Sequence, residues 1–168
     1  MKLYYYEKSK KHKSTDTDVF ILTSVGAFCK EHSLDQYTGK VLRTSFGKPY
    51  LENNFLYVGV THTENIIIVC VSKENFGIDC ENKDRIVKRA ESVMNRFFTK
   101  NERRSIFEKG NKDAAFIDTW VKKEAYVKYT GLGLSGLTDC DTTKLSGFSK
   151  IPNDKNLIIY IYKEQNYE

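Results

Sequence analysis

Two short stretches hold residue types that could do chemistry together. "FGIDCE" (Phe76 to Glu81) carries two carboxylates, Asp79 and Glu81, two residues apart. "WVKKEAYVKY" (Trp120 to Tyr129) carries Glu124 and Lys128 one helical turn apart, with Lys123 beside the acid. In a strand, residues two apart point the same way, so Asp79 and Glu81 share one side while Ile78 and Cys80 point toward a core. Two carboxylates on one face repel unless a cation or donor lies between them. Hard oxygen ligands in that arrangement suit Mg²⁺ better than zinc. In a helix each residue turns by about 100°. Trp120, Glu124 and Lys128 then fall on one drifting line, with Lys123 at its flank and Lys122 nearly opposite. Three acids and two lysines would suit a pyrophosphate held beside a metal. Each stretch alone also has an ordinary explanation, a solvated strand edge for the first and an i,i+4 surface pair for the second.

The elements that must position these residues follow from hydrophobic period and punctuation. "KLYYYE" (Lys2 to Glu7) is short and aromatic and reads as a strand. "STDTDVFILTSVGAFCKEH" supplies capping residues and then Val19, Leu22, Gly26 and Cys29 at helical spacing, which predicts a helix ending near His32. Gly47 and Pro49 make "FGKPY" a turn. "NFLYVGVTHT", "NIIIVCVS" and "FGIDCE" read as three strands of one meander. The period then becomes helical. Ile86, Ala90, Val93 and Phe97 mark one face, flanked by Val87 and Met94. Thr99 and Glu102 form a capping box that opens a second helix. A third runs from about Asp113 to Tyr129 and is stopped by Gly131. "NLIIYIYKEQ" is a closing strand, with a hairpin partner near "KLSGFSK". The order of elements is similar in two halves, although no sequence repeat is visible. The expected division is 1–74 and 75–168, without a Pro/Ser-rich linker, so the halves should pack as one body.

Bulk composition narrows the classes. Of 168 residues, 40% are hydrophobic and 13% aromatic, enough for a real core and too apolar for a disordered chain. The formal net charge of +5 favours anionic partners. The dense basic cluster "KSKKHK" (Lys8 to Lys13) reads as a solvated loop. A nucleic-acid binder is the competing class for a basic, aromatic chain, but no recognition motif or continuous basic stripe is present. The four cysteines, Cys29, Cys70, Cys80 and Cys140, show no CxxC or Cys/His metal spacing. Cys29, Cys70 and Cys80 sit in apolar runs and read as buried thiols, which suits a cytoplasmic setting. The sequence shows no signal-peptide core and no membrane-spanning run.

Taken together, "FGIDCE", "RFFTKNE" (Arg96 to Glu102) and "WVKKEAYVKYTGLGLSGLTD" (Trp120 to Asp139) resemble the motifs of the 4′-phosphopantetheinyl transferases, in the same order and spacing. "FGKPYLENNFLYVGVTHT" resembles the "GKP" and "SHS" segment of the longer, surfactin-type branch of that family. The resemblance covers about Arg43 to Asp139 and marks the chain as a compact member of that branch. It implies an α+β fold of two similar lobes related by pseudo-twofold symmetry, each a small antiparallel sheet packed on helix, with coenzyme A in the cleft between them. It implies transfer of the phosphopantetheine arm of coenzyme A to a serine of an apo acyl or peptidyl carrier protein. The by-product is adenosine 3′,5′-bisphosphate, and the metal is Mg²⁺ or Mn²⁺. By match, Asp79, Glu81 and Glu124 become metal ligands. Asp79, Glu124 and Lys128 become catalytic, with Glu124 the base for the serine. Lys123 and Lys128 become phosphate contacts, and Lys48 and His62 contacts of the adenosine 3′-phosphate region. Arg43 is a further cofactor-binding candidate. With both lobes on one chain, a monomer is expected.

The sequence departs from the family pattern in three places. The basic and aromatic stretch that precedes "GKP" in that branch is short here, and Lys8, Lys10, Lys11 and Lys13 are the available substitutes. Thr61 stands where serine precedes the histidine. Leu132 stands where a basic residue is common. A member that binds coenzyme A or a carrier without catalysis is the alternative reading.

Overall fold

The computed structural model describes residues 1–8 and 14–165, so Lys10, Lys11 and Lys13 lie outside the described residues. The fold is α+β, built of small antiparallel sheets and helices. The chain divides into two compact units, Met1–Phe76 and Gly77–Glu168.

In the first unit, β5 (Ile66–Ser72) lies between β1 (Lys2–Glu7) and β4 (Tyr57–His62), antiparallel to both. Its β-branched run explains the central place, since Ile67 to Ser72 are all buried. Helix α1 (Ser14–Glu31) packs on this sheet through Ile21, Val25, Phe28 and Cys29. The face expected from Val19, Leu22 and Gly26 is therefore rotated. Val19 is 60% and Leu22 40% exposed, and of that series Cys29 alone reaches the core. The helix contains two overlapping apolar series, and the one with the bulkier Ile21 and Phe28 removes more surface from water. The "FGKPY" turn is the tip of a small hairpin, β2 (Val41–Arg43) and β3 (Pro49–Leu51). Thr44 closes it, accepting from the Lys48 N–H on its hydroxyl at 3.1 Å, and Gly47 takes a φ of +81°. Strands of three residues are too short to show a period of two, which is why they escaped sequence reasoning.

In the second unit, β8 (Leu157–Tyr162) lies between β6 (Gly77–Asn82) and β7 (Phe148–Lys150). The expected three-strand meander is thus cut. Both edges of β5 are taken by β1 and β4, so β6 opens a new sheet. Helix α2 (Ala90–Phe97) starts later than its apolar spacing suggests, and Ile86 lies before it, 85% exposed. No Ser, Thr or Asn caps a start near Ile86, and Asp84 instead accepts from the Asn156 side chain. Helix α3 (Lys100–Phe107) begins at the expected box, Thr99 Oγ1 accepting from Glu102 N–H and Glu102 Oε2 from Thr99 N–H. Helix α4 (Lys112–Thr130) is capped by Asn111 and ends at Gly131, whose φ is +75°. Trp120 stacks with Phe98 and Phe116 and anchors α4 in the core. A 3-10 turn and α5 (Gly136–Asp139) lead to β7.

The candidate active site on strand β6 and helix α4

Register fixes which residues of β6 face the helix. Gly77, Asp79 and Glu81 lie opposite Tyr162, Tyr160 and Ile158, and these three apolar or aromatic partners belong to the core beneath α4. The two acids therefore point to the α4 side, while Ile78 and Cys80 are buried on the other face. Gly77 sets the distance. A Cβ there would fall 1.9 Å from the Ala125 carbonyl oxygen and 2.4 Å from the Tyr129 nitrogen. Only glycine lets the backbones of β6 and α4 approach so closely.

That approach brings residues on either side of Ala125 over Asp79. Lys128 Nζ donates to Asp79 Oδ1 at 2.7 Å, with Asp79 almost wholly buried. Burial acts to lower the Lys128 ammonium, but the charges of Asp79 and Glu124 outweigh it and hold the group above its ordinary value. Glu124 is pushed the other way for a carboxyl. Burial raises it, the Asp79 charge raises it further, and Lys128 offsets part of the rise. The result is one fixed cation beside two acids, one of which binds its proton more tightly than usual.

Glu81 is adjacent on the same face but engaged by the Arg85 guanidinium in an ion pair. Among the described residues, no three His, Cys, Asp or Glu side chains converge as a ready metal-binding group. The donor chemistry nonetheless fits a hard divalent cation. Two carboxyl groups share a strand face and a third lies on the helix above it, raised by burial first and by the Asp79 charge second, and an added positive charge would relieve the second cause.

Lys123 corrects the expected pattern. It does not join this cluster, and its assignment as a phosphate contact is not supported by its position. Its ammonium is completely buried and bound to both oxygens of Glu102, at 3.1 and 2.8 Å, and to the Cys140 carbonyl oxygen. On a helix, one residue's turn of about 100° separates it from Glu124. Here that turn sends it into the α3 side of the unit.

The remaining candidates belong to the first unit. His62 ends β4 and is exposed, with Nδ1 3.4 Å from Lys8 Nζ. The antiparallel register causes this, because Glu7 and His62 flank neighbouring residues of β5 and Lys8 N–H continues the ladder to the Asn65 carbonyl oxygen. Lys48 sits just before β3, and burial pulls its ammonium below the ordinary value. Arg43 is paired with Asp18 at 2.5 Å. Sequence reasoning missed Gly77 as a spacer, Arg85 as the partner of Glu81 and the second use of Glu102. The glycine before "IDCE" was the available signal for the first. The i,i+4 spacing of Glu81 and Arg85 was the signal for the second.

Residues 75–165 match the family model of the 4′-phosphopantetheinyl transferase superfamily, and the chain belongs to that superfamily. It is 24% identical over 144 residues to the 4′-phosphopantetheinyl transferase Sfp of Bacillus subtilis (strain 168), an alignment covering 84% of this chain and 62% of that protein. It is 28% identical over 117 residues to the L-aminoadipate-semialdehyde dehydrogenase-phosphopantetheinyl transferase of Saccharomyces cerevisiae, covering 64% of this chain and 42% of that protein. The chain thus matches less than two thirds of the length of these relatives. None of the described helices is long and apolar enough to cross a membrane.

Proposed function

We propose that this protein transfers the 4′-phosphopantetheine arm of coenzyme A to a serine of an apo acyl or peptidyl carrier protein and releases adenosine 3′,5′-bisphosphate. The observation that carries the reading is the Asp79–Lys128 contact beside a raised Glu124, inside the segment that matches the superfamily. In this reading the serine oxygen attacks the β-phosphorus of the pyrophosphate. Glu124 accepts the serine proton, a task suited to a carboxyl of raised proton affinity. Lys128, held cationic by its acidic neighbours, stabilises charge on the phosphate oxygens and assists the leaving bisphosphate. Asp79, Glu81 and Glu124 would hold the divalent cation, with Glu81 exchanging its Arg85 partner for it. Mg²⁺ or Mn²⁺, when bound, would supply charge neutralisation of the pyrophosphate.

His62, Lys48 and Arg43 are proposed as contacts of the nucleotide end, and Lys8 joins them because of its place beside His62. The larger geometry is part of the same proposal. Two lobes with pseudo-twofold symmetry would hold coenzyme A between them, on a monomeric chain in the cytoplasm. Their shared connectivity supports the symmetry: in each unit the first strand pairs with the last, and the last with the one before it. The test is chromatographic. Protein, Mg²⁺, coenzyme A and an apo carrier should release adenosine 3′,5′-bisphosphate in step with carrier modification. Coenzyme A binding without release would favour the non-catalytic reading instead.

A further inference from the structure

We propose that the buried Glu102–Lys123 pair is a positioning device: it fixes the roll of α4 so that Glu124 and Lys128 meet Asp79. The pair is fully enclosed, with both side chains at 0% exposure. Every hydrogen of the Lys123 ammonium has an acceptor, two in Glu102 and one in the Cys140 carbonyl. Glu102 Oε1 also accepts from the Thr142 N–H at 2.8 Å and its hydroxyl at 2.9 Å, while Oε2 caps α3 through the Thr99 N–H at 2.8 Å. Three segments meet in this knot: the start of α3, the middle of α4 and residues 140–142. The Phe98 ring closes it, its centroid 5.5 Å from the ammonium.

Packing alone does not call for such a knot. A buried ion pair carries a desolvation cost that apolar side chains of similar volume avoid. What the pair adds is direction. A leucine or methionine at position 123 could slide as α4 turned, whereas a fully bonded ammonium cannot move without leaving a charge unpaired. Glu124 is the next residue, so its azimuth on α4 is set by that of Lys123. Gly77 fixes how near the helix comes to β6. Lys123 fixes which side of the helix faces it.

The test uses Glu102→Gln, Lys123→Met and the double variant on the full chain. Each single variant leaves a buried group without its charge partner and should lower the unfolding midpoint. The double variant should recover most of that loss. The positioning claim lies in what the double variant does not recover. Its crystal structure should show the 2.7 Å Lys128–Asp79 contact broken or lengthened. Its kcat should fall by about 10- to 100-fold with a much smaller change in KM, as for a misplaced reacting group. A stable double variant with that contact and kcat intact would overturn the proposal. The kinetic arm rests on the transfer reading above, whereas the structural arm does not, so failure of one is distinguishable from failure of the other. If the charge variants do not fold, Thr142→Val, which removes one hydroxyl contact to Glu102 and leaves no charge unpaired, should produce a smaller shift of kcat in the same direction. Unchanged kcat in a folded Thr142→Val protein would count against the proposal.

Discussion

The first strand of each unit occupies the same place in its sheet, yet the two carry different residues toward their helices. In β1, Tyr4 and Tyr6 lie opposite Val69 and Ile67, and Tyr6 stacks on Phe20 of α1 while its hydroxyl meets Ser24. In β6, Asp79 and Glu81 stand at the corresponding register, opposite Tyr160 and Ile158. One scaffold thus presents aromatic filling in one unit and carboxyl oxygens in the other. The difference extends to the first position of the strand, Lys2 in β1 and Gly77 in β6. A helix that packs through side chains tolerates a side chain on the strand. A helix that must bring Glu124 and Lys128 within reach of a strand carboxylate requires a glycine there. The second unit has carboxyl side chains where the first unit has aromatic packing.

The largest expected effect comes from making β6 less like a site. Asp79→Ala should slow carrier modification by about 10³-fold, measured as initial rate, through loss of an electrostatic partner for cation and lysine alike. The equivalent change in the first unit, Tyr4→Ala, should instead appear as lost stability.

Glu124→Gln should slow transfer by about 10²-fold and also change stability with pH. The folded-state Glu124 carboxyl is raised, so the folded protein binds that proton more tightly than the unfolded chain does. The stability contributed is fully present below the unfolded-state value and is lost as pH rises through the folded one. In chelator, Glu124→Gln should therefore match the wild type in acid and exceed its unfolding midpoint at neutral pH. A variant less stable than wild type at neutral pH would contradict the assigned strain.

Gly77→Ala sharpens the spacing argument. The added methyl would meet α4 backbone at 1.9 Å, and overpacking of this kind costs about 1–3 kcal/mol or more in denaturant unfolding. Lys2→Ala, at the corresponding place in β1, should stay within about 0.5 kcal/mol. Tyr6→Phe, which removes the 2.8 Å contact to Ser24, should cost about 1 kcal/mol with transfer unchanged.

Much of the second unit was legible because its signals are local. The Thr99 box, the Gly131 end of α4 and the face shared by Asp79 and Glu81 depend on residues within a turn or two of each other. Lys123 was misread because helical geometry places it on the flank of the Glu124 line but does not say what lies there. The answer came from Glu102, 21 residues away, meeting it in space. The face of α1 was misread because two apolar series overlap, and tertiary packing chose between them. The strand after β5 was assigned to the wrong sheet because pairing depends on which edges are already occupied, and local sequence carries no record of that.

Intact mass tests most directly whether β6 and α4 build a transfer site. The protein is mixed with Mg²⁺, coenzyme A and a panel of apo carrier proteins. A gain of one phosphopantetheine on at least one carrier is expected, with Asp79→Ala strongly slowing it. No gain on any carrier, together with no binding of coenzyme A by calorimetry, would contradict it.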